Sequence, residues 1–210
     1  MGCAPVAEPR QLAWQASLLA SGEVGFDASF AGIRRHDLDH GAWVDEVRGW
    51  VRGADELFAR LLELTPWRQK ERWMYERRLP EPRLTHRWKL REEDPPLPIL
   101  AEMAKALSTR YEVAFTQVGA NLYRNGSDSV AWHGDRVARE LDEASVALVS
   151  LGSPRPFKRP KDGGRSVGFV PDRGDLLVMG GSCQRTWDHA VPKVKSAGPR
   201  MSIQFRHAYD

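Results

Sequence analysis

The sequence predicts a mostly β fold, a sandwich or barrel with a few helices packed against it. Two observations carry this. After about residue 112 the hydrophobic period changes from helical to two. Candidate strands then follow at 113–124, 130–135, 145–151, 165–170, 174–179, 185–191 and 200–208, with Gly, Pro or Asp between several of them and no helical stretch intervening.

The elements before residue 112 read as support for that body. Residues 1–40 have weak periodicity, and Gly22, Gly25 and Gly32 punctuate an extended segment with a strand or two around 23–34. In 41–64, Trp43, Val44, Val47, Trp50, Val51, Leu57, Leu61 and Leu62 recur near helical spacing, so a helix is expected there, with Gly53 as a possible break. Thr65-Pro66 ends it. Pro80 and Pro82, then Pro95, Pro96 and Pro98, bracket a stretch of loop and short strand. Residues 97–109 predict a second helix, with Leu97, Leu100, Met103, Ala104 and Leu107 inward. The expected organisation is an N-terminal extension with a supporting helix (1–66), a second segment (67–95) and the β core (96–210), all within one compact domain.

Composition excludes several classes. The chain has 210 residues, 41% apolar and 28% charged, which suits a globular protein that needs no staples. Two cysteines, Cys3 and Cys183, exclude a disulfide framework and a four-cysteine zinc site, and fit a cytoplasmic location. No 18-residue apolar run is present, so no membrane partner is expected, and no secretory signal is seen. The Met-Gly-Cys start lacks the Ser or Thr that a myristoylation signal wants at position 6, where Val6 stands. The net charge of +3 is unevenly spread. Residues 67–91 hold nine Lys/Arg and three Glu, a net of +6, interleaved with Trp67, Trp73, Tyr75 and Trp88. Cations for phosphate and rings for stacking suit nucleic acid; a solvated basic face over core tryptophans is the competing reading.

The residues with the most chemical content are His133, Gly134, Asp135 and the distant His189. Alternation on a strand would put His133 and Asp135 on one face. Two imidazoles and one carboxylate leave three positions of a metal open, and the usual occupant is Fe(II) in oxygenases. A bidentate 2-oxo acid and O2 would fill those positions. In the last strand Arg200, Ser202, Gln204 and Arg206 share one face, and Met201, Ile203 and Phe205 the other. Arginines facing an interior need anions, and a dicarboxylate would supply two. A flat strand would separate Arg200 from Arg206 by roughly 20 Å, so both must lean toward a shared ligand or only one binds it. A solvent-facing edge strand is the alternative. Asn121 and Tyr123 alternate in the same way and offer neutral donors to carboxylate oxygens. Gly126 and Asp128 suit a turn into the next strand.

In order, NLYRNGSDSVAWHGD, TWDHAVPK and GPRMSIQFR, preceded by RLPEPRLTHRW, resemble the AlkB family of Fe(II)- and 2-oxoglutarate-dependent dioxygenases over residues 67–208. The resemblance implies a double-stranded β-helix, or jelly-roll, core, and makes 67–95 a nucleotide-recognition segment. It implies Fe(II) on His133, Asp135 and His189, and 2-oxoglutarate on Asn121, Tyr123, Arg200 and Arg206, with Arg200 at the distal carboxylate. The family's last motif reads RxNxTxR; here Ser202 and Gln204 replace Asn and Thr, so Ser202 contacts the cosubstrate through water at most. The implied activity is oxidative dealkylation of bases such as N1-methyladenine and N3-methylcytosine in DNA or RNA, releasing formaldehyde, succinate and carbon dioxide. Such a base must first leave its stack. Trp73, Tyr75 or Trp88 is then expected to supply a ring opposite His133. Arg77, Arg78, Arg83 and Arg87 are candidates for phosphate, and Arg136 for substrate at the mouth. A second basic stretch, Arg155, Lys158, Arg159, Lys161 and Arg165, is a candidate for a flanking strand. Trp132 and Trp187 are expected in the core, and Cys183 in a turn. The enzyme is expected to act as a monomer on nucleic acid. The alternatives are a dioxygenase acting on a protein or small molecule, a binding protein without catalysis, and a metal-free barrel.

Overall fold

The computed structural model describes Leu12 and residues 22–74, 76–135, 143–159 and 167–207. In chain order the elements are β1 (Gly25–Phe26), β2 (Arg34–Asp37), β3 (Ala42–Val47), β4 (Val51–Arg52), α1 (Ala54–Leu64), β5 (Glu71–Met74), β6 (Arg77–Pro80), β7 (Leu84–Lys89) and α2 (Pro98–Tyr111). They continue with β8 (Gln117–Tyr123), β9 (Val130–His133), β10 (Val146–Gly152), β11 (Phe157–Arg159), β12 (Val167–Phe169), β13 (Leu176–Gly181), α3 (Cys183–Thr186), β14 (His189–Val191) and β15 (Arg200–Arg206).

Two antiparallel sheets form the body. A seven-stranded major sheet runs β2-β3-β13-β10-β15-β8-β7, and a four-stranded minor sheet runs β12-β11-β14-β9. This is a double-stranded β-helix, as the resemblance implies. The hairpin β5–β6 stands apart from both sheets. β2 and β3 from the first segment and β7 from the second join the major sheet, so the three segments share one scaffold.

Strand alternation splits the interior in two. Ala147, Val149 and Leu151 of β10, with Met201, Ile203 and Phe205 of β15, join the helix side chains in one apolar cluster. Val146 and Leu148 of β10 and Leu177 and Met179 of β13 turn the other way, into the space between the sheets. α1 closes the first cluster with Leu57, Phe58 and Leu61 and packs on β10. α2 starts with Pro98 at its first turn, where the missing N–H costs nothing, and adds Leu100, Met103, Ala104 and Leu107. Each such leucine contributes about 2 kcal/mol of burial.

Several local expectations change. Residues 42–47 form strand β3, not the start of a helix. Their apolar spacing fits both periods, and the free edge of β13 decides, pairing Ala42–Val47 with Gly181–Leu176. Gly180 lies under the Trp43 ring, where any Cβ would collide with it. Gly53, at φ +61°, then turns the chain into α1; a Cβ there would stand 2.6 Å from the Gly22 carbonyl oxygen. The stretch expected as strand 185–191 opens with α3, which holds the buried Cys183, and only His189–Val191 is extended. Strand β11 has no counterpart in the sequence reading. Trp132, expected in the core, is 47% exposed, because β9 is the edge strand of the minor sheet. Trp187 is buried as expected.

Candidate active site

β14 pairs with β9 so that His189 stands opposite His133, and their rings lie 4.3 Å apart. Asp135 follows the end of β9. One ligand atom from each of His133, Asp135 and His189 lies within 4.8 Å of the other two. The His133 Nδ1 is 2.7 Å from the Ala131 carbonyl oxygen. A carbonyl only accepts, so Nδ1 carries the proton and donates, which leaves the Nε2 lone pair facing the cavity. That Nε2 is 3.9 Å from Asp135 Oδ1. The backbone N–H of Asp135 donates to Gln184 Oε1 at 3.1 Å, which ties the carboxylate to α3. Between the two ligands, Gly134 passes so close to the Gln184 carbonyl oxygen that a Cβ would collide with it. The donor set fits a divalent iron with open positions. Asp135 and His189 are buried and His133 is partly open to the cavity.

The second half of the site lies along β15 and β8. Their register sets Arg200 opposite Tyr123, Ser202 opposite Asn121, Gln204 opposite Gly119 and Arg206 opposite Gln117. Arg200 is completely buried, and among the described residues none of its three nitrogens has a hydrogen-bond partner. Burial pulls its pKa down to about 10, against the favourable neighbourhood of Tyr123, so the guanidinium stays charged at neutral pH. The Tyr123 ring lies beside it, with the guanidinium 5.7 Å from the ring centre. Burial also raises the Tyr123 pKa, so its phenol stays protonated and able to donate. A buried, unpaired cation costs several kcal/mol. A carboxylate delivered from the cavity removes that cost, which makes Arg200 fit one end of 2-oxoglutarate. Arg206 stands at the other end, its Nε 3.1 Å from Asp135 Oδ2 in an ion pair without hydrogen-bond alignment. Arg206 lines the cavity directly, whereas Arg200 does not line it and adjoins Tyr123, which does.

The cavity measures about 770 Å³. Its rim comes from the segment before and within β7: Arg68, Lys70, Arg72, Arg83 and Arg87, with Glu71 and Glu81 among them. Arg83 pairs with Glu81 at 2.9 Å, and Arg72 approaches the same carboxylate at 3.8 Å. Lys70 is depressed in pKa by desolvation first and then by the nearby Arg87. A surplus of cations at one mouth favours an anionic visitor.

The other proposed substrate residues are distributed differently. Arg77 and Arg78 are exposed on β6 and do not line the cavity; Arg78 lies 4.0 Å from Glu71. Trp73 is 69% exposed on β5, cross-strand from Arg78. Trp88 is corrected: it is buried opposite Val118, on the helix-facing side of β7, and cannot present its ring to the cavity. Tyr75 and Arg136 lie outside the described residues, as do Lys161 and Arg165 and the side chains of Lys158 and Arg159. Arg155 is also corrected, since its guanidinium is buried on three backbone carbonyls, those of Asn125, Asp128 and Pro192. Sequence reasoning missed Gln184, Arg68, Lys70 and Arg72. The three cations were inside the basic stretch and carried that signal; Gln184 is 49 residues from its partner and carried none.

Residues 51–206 match the 2OG-Fe(II) oxygenase superfamily. The chain is 31% identical over 186 residues to alpha-ketoglutarate-dependent dioxygenase alkB homolog 3 of Bos taurus, covering 76% of this chain and 63% of that protein. The Homo sapiens counterpart is 30% identical with the same coverage. DNA oxidative demethylase ALKBH2 of Arabidopsis thaliana is 34% identical over 117 residues, 44% of this chain and 37% of that one. The chain therefore spans about 63% of the length of the first of these relatives. Among solved structures, OsALKBH1 superimposes with a TM-score of 0.57 at 14% identity, over 82% of this chain and 100% of that one. A prolyl hydroxylase from Trichoplax adhaerens, in complex with a peptide fragment, gives 0.58 at 10% identity, over 80% and 84%. At those identities the likeness is one of fold.

Proposed function

The chain belongs to the 2OG-Fe(II) oxygenase superfamily and to its AlkB family, and from that premise we propose that it removes alkyl groups oxidatively from N-alkylated bases of nucleic acid, DNA first and RNA as a second substrate. The observation that carries the substrate class is the cationic rim of Arg68, Lys70, Arg72, Arg83 and Arg87 around the same cavity that holds His133, Asp135 and His189. When bound, iron and 2-oxoglutarate supply the oxidation, by O2, of a C–H bond on the N-linked alkyl carbon.

The chain's own residues do the rest. His133, Asp135 and His189 hold the metal from one side and leave the cavity side open. Ala131 and Gln184 fix the first two ligands in place. Arg200, beside Tyr123, takes one carboxylate of the cosubstrate, and Arg206 stands beside Asp135 at the metal end. Asn121 and Ser202 face one another along the wall between them. Leu148 and Val191 line the same cavity and keep part of it apolar. At the rim the free cations meet phosphates while the damaged base enters, which makes affinity fall with salt. A cationic methylated base is a poor ligand for a basic rim by itself, so the phosphodiester is what the rim recognises. The relatives with alkB homolog and DNA oxidative demethylase names support this reading. The two-cysteine composition supports a cytoplasmic site of action.

The test is anaerobic loading with Fe(II) and 2-oxoglutarate, then admission of O2 with an oligonucleotide carrying one N1-methyladenine or N3-methylcytosine. Mass spectrometry should show loss of one methyl group in the native protein and none in His133→Ala. Succinate without methyl loss would reassign the substrate to a protein or small molecule. Neither product from folded protein would remove the enzymatic reading.

A further inference from the structure

Ser202 and Gln204 are both buried on the cavity face of β15, and their contacts with each other are unusually specific. Gln204 Nε2 donates to the Ser202 backbone carbonyl at 2.6 Å and to the Ser202 hydroxyl oxygen at 2.6 Å. The carbonyl cannot donate, so it fixes which end of the Gln204 amide faces Ser202. The amide nitrogen must be there, and Oε1 must be at the other end. That other end lies over Gly119, where a Cβ would come within 3.1 Å of Oε1, so the small residue on β8 is what makes room for the amide.

The consequence falls on the serine. Its oxygen accepts from Gln204, so its hydrogen points elsewhere. No second partner for that hydroxyl exists among the described residues. A buried hydroxyl hydrogen without an acceptor is costly, and the open side is the cavity. We propose that Gln204 is a positioning residue that locks the Ser202 hydroxyl as a donor into the cavity, where it bonds directly to an oxygen of 2-oxoglutarate. Gln204 acts through Ser202, and Gly119 permits it. This rests on the cosubstrate reading above and replaces the water-mediated contact expected for so short a side chain.

The experiment is an anaerobic calorimetric titration of 2-oxoglutarate into the Fe(II)-loaded protein, which reads binding without turnover. Ser202→Ala should weaken binding about tenfold and Gln204→Leu about fivefold, as expected for loss or misdirection of one hydrogen bond to a charged group. The double variant should be no weaker than Ser202→Ala alone, because Gln204 has no effect without the hydroxyl. Affinity for a methylated oligonucleotide should be unchanged in all three. If Gln204→Leu does not fold, Gln204→Glu keeps the size, cannot donate to the Ser202 carbonyl, and should weaken binding at least as much. Native-like affinity in the Gln204 variants, or losses that multiply in the double variant, would overturn the proposal while leaving the cosubstrate site intact. No uptake of 2-oxoglutarate by the native protein would instead overturn the cosubstrate reading itself.

Discussion

The loop packing around Arg155 and the start of β15 around Arg200 bury the same side chain almost completely, at 1% and 0% exposure, and treat it in opposite ways. Arg155 donates to three carbonyls that tie the turn after β8 to the segment following β14. Arg200 donates to no atom among the described residues. Burial alone therefore says little about an arginine's role. The donor inventory separates them: one cation is tied into the fold by three carbonyls, and the other has its donors unpaired among the described residues.

The comparison can be broken most forcefully at Arg200. Arg200→Met should weaken 2-oxoglutarate binding by at least about 100-fold in the same calorimetric titration, because a buried carboxylate loses its only cation. The unliganded protein should melt no lower than the native one, since an uncompensated buried charge has been removed. A lower melting temperature with intact binding would reverse the assignment. Arg155→Met should do the opposite. Three carbonyls lose their donor, at a cost of about 3 kcal/mol, which is roughly 6–12 °C for a chain of this size. Differential scanning calorimetry would show it, with cosubstrate affinity unchanged within about twofold. A third measurement joins the two. At 100 times its Kd, 2-oxoglutarate with Fe(II) should add about 2.7 kcal/mol of stability to the native protein and to Arg155→Met, and far less to Arg200→Met. Gly134→Ala disturbs the metal end and neither arginine. Its Cβ would press on the Gln184 carbonyl, so Fe(II) affinity should fall about tenfold by competition with a chelator. Trp73→Ala should have the smallest effect, under about threefold on oligonucleotide KM, because its exposed ring lies off the cavity wall.

The same contrast explains what could be seen in the sequence. His133, Asp135 and His189 were legible because metal chemistry demands particular donors, and few side chains supply them. The alternation of RMSIQFR was legible because a central strand has two buried faces of different character. Trp88 was not, since an aromatic in a β segment suits either face, and only the pairing with Val118 turns it away from the site. Arg155 reads in the sequence as a candidate for a flanking strand because a guanidinium is usually solvated; three carbonyls from distant segments are what bury it. β3 carried spacing that fits a helix as well as a strand, and a neighbouring edge settled the matter. Gln184 reaches Asp135 only through the fold.

The alternation of β15 has one more consequence. Its ladders pair seven residues with β8 and six with β10, so the strand is pinned on both sides. A slip of one position would carry Arg200 and Arg206 into the greasy layer beneath the helices and bring Met201, Ile203 and Phe205 out toward the metal. Two ionic groups stranded in hydrocarbon would penalise that arrangement far more than a few mismatched apolar contacts could. The residues that would handle the cosubstrate therefore also help to set the register in which the strand pairs.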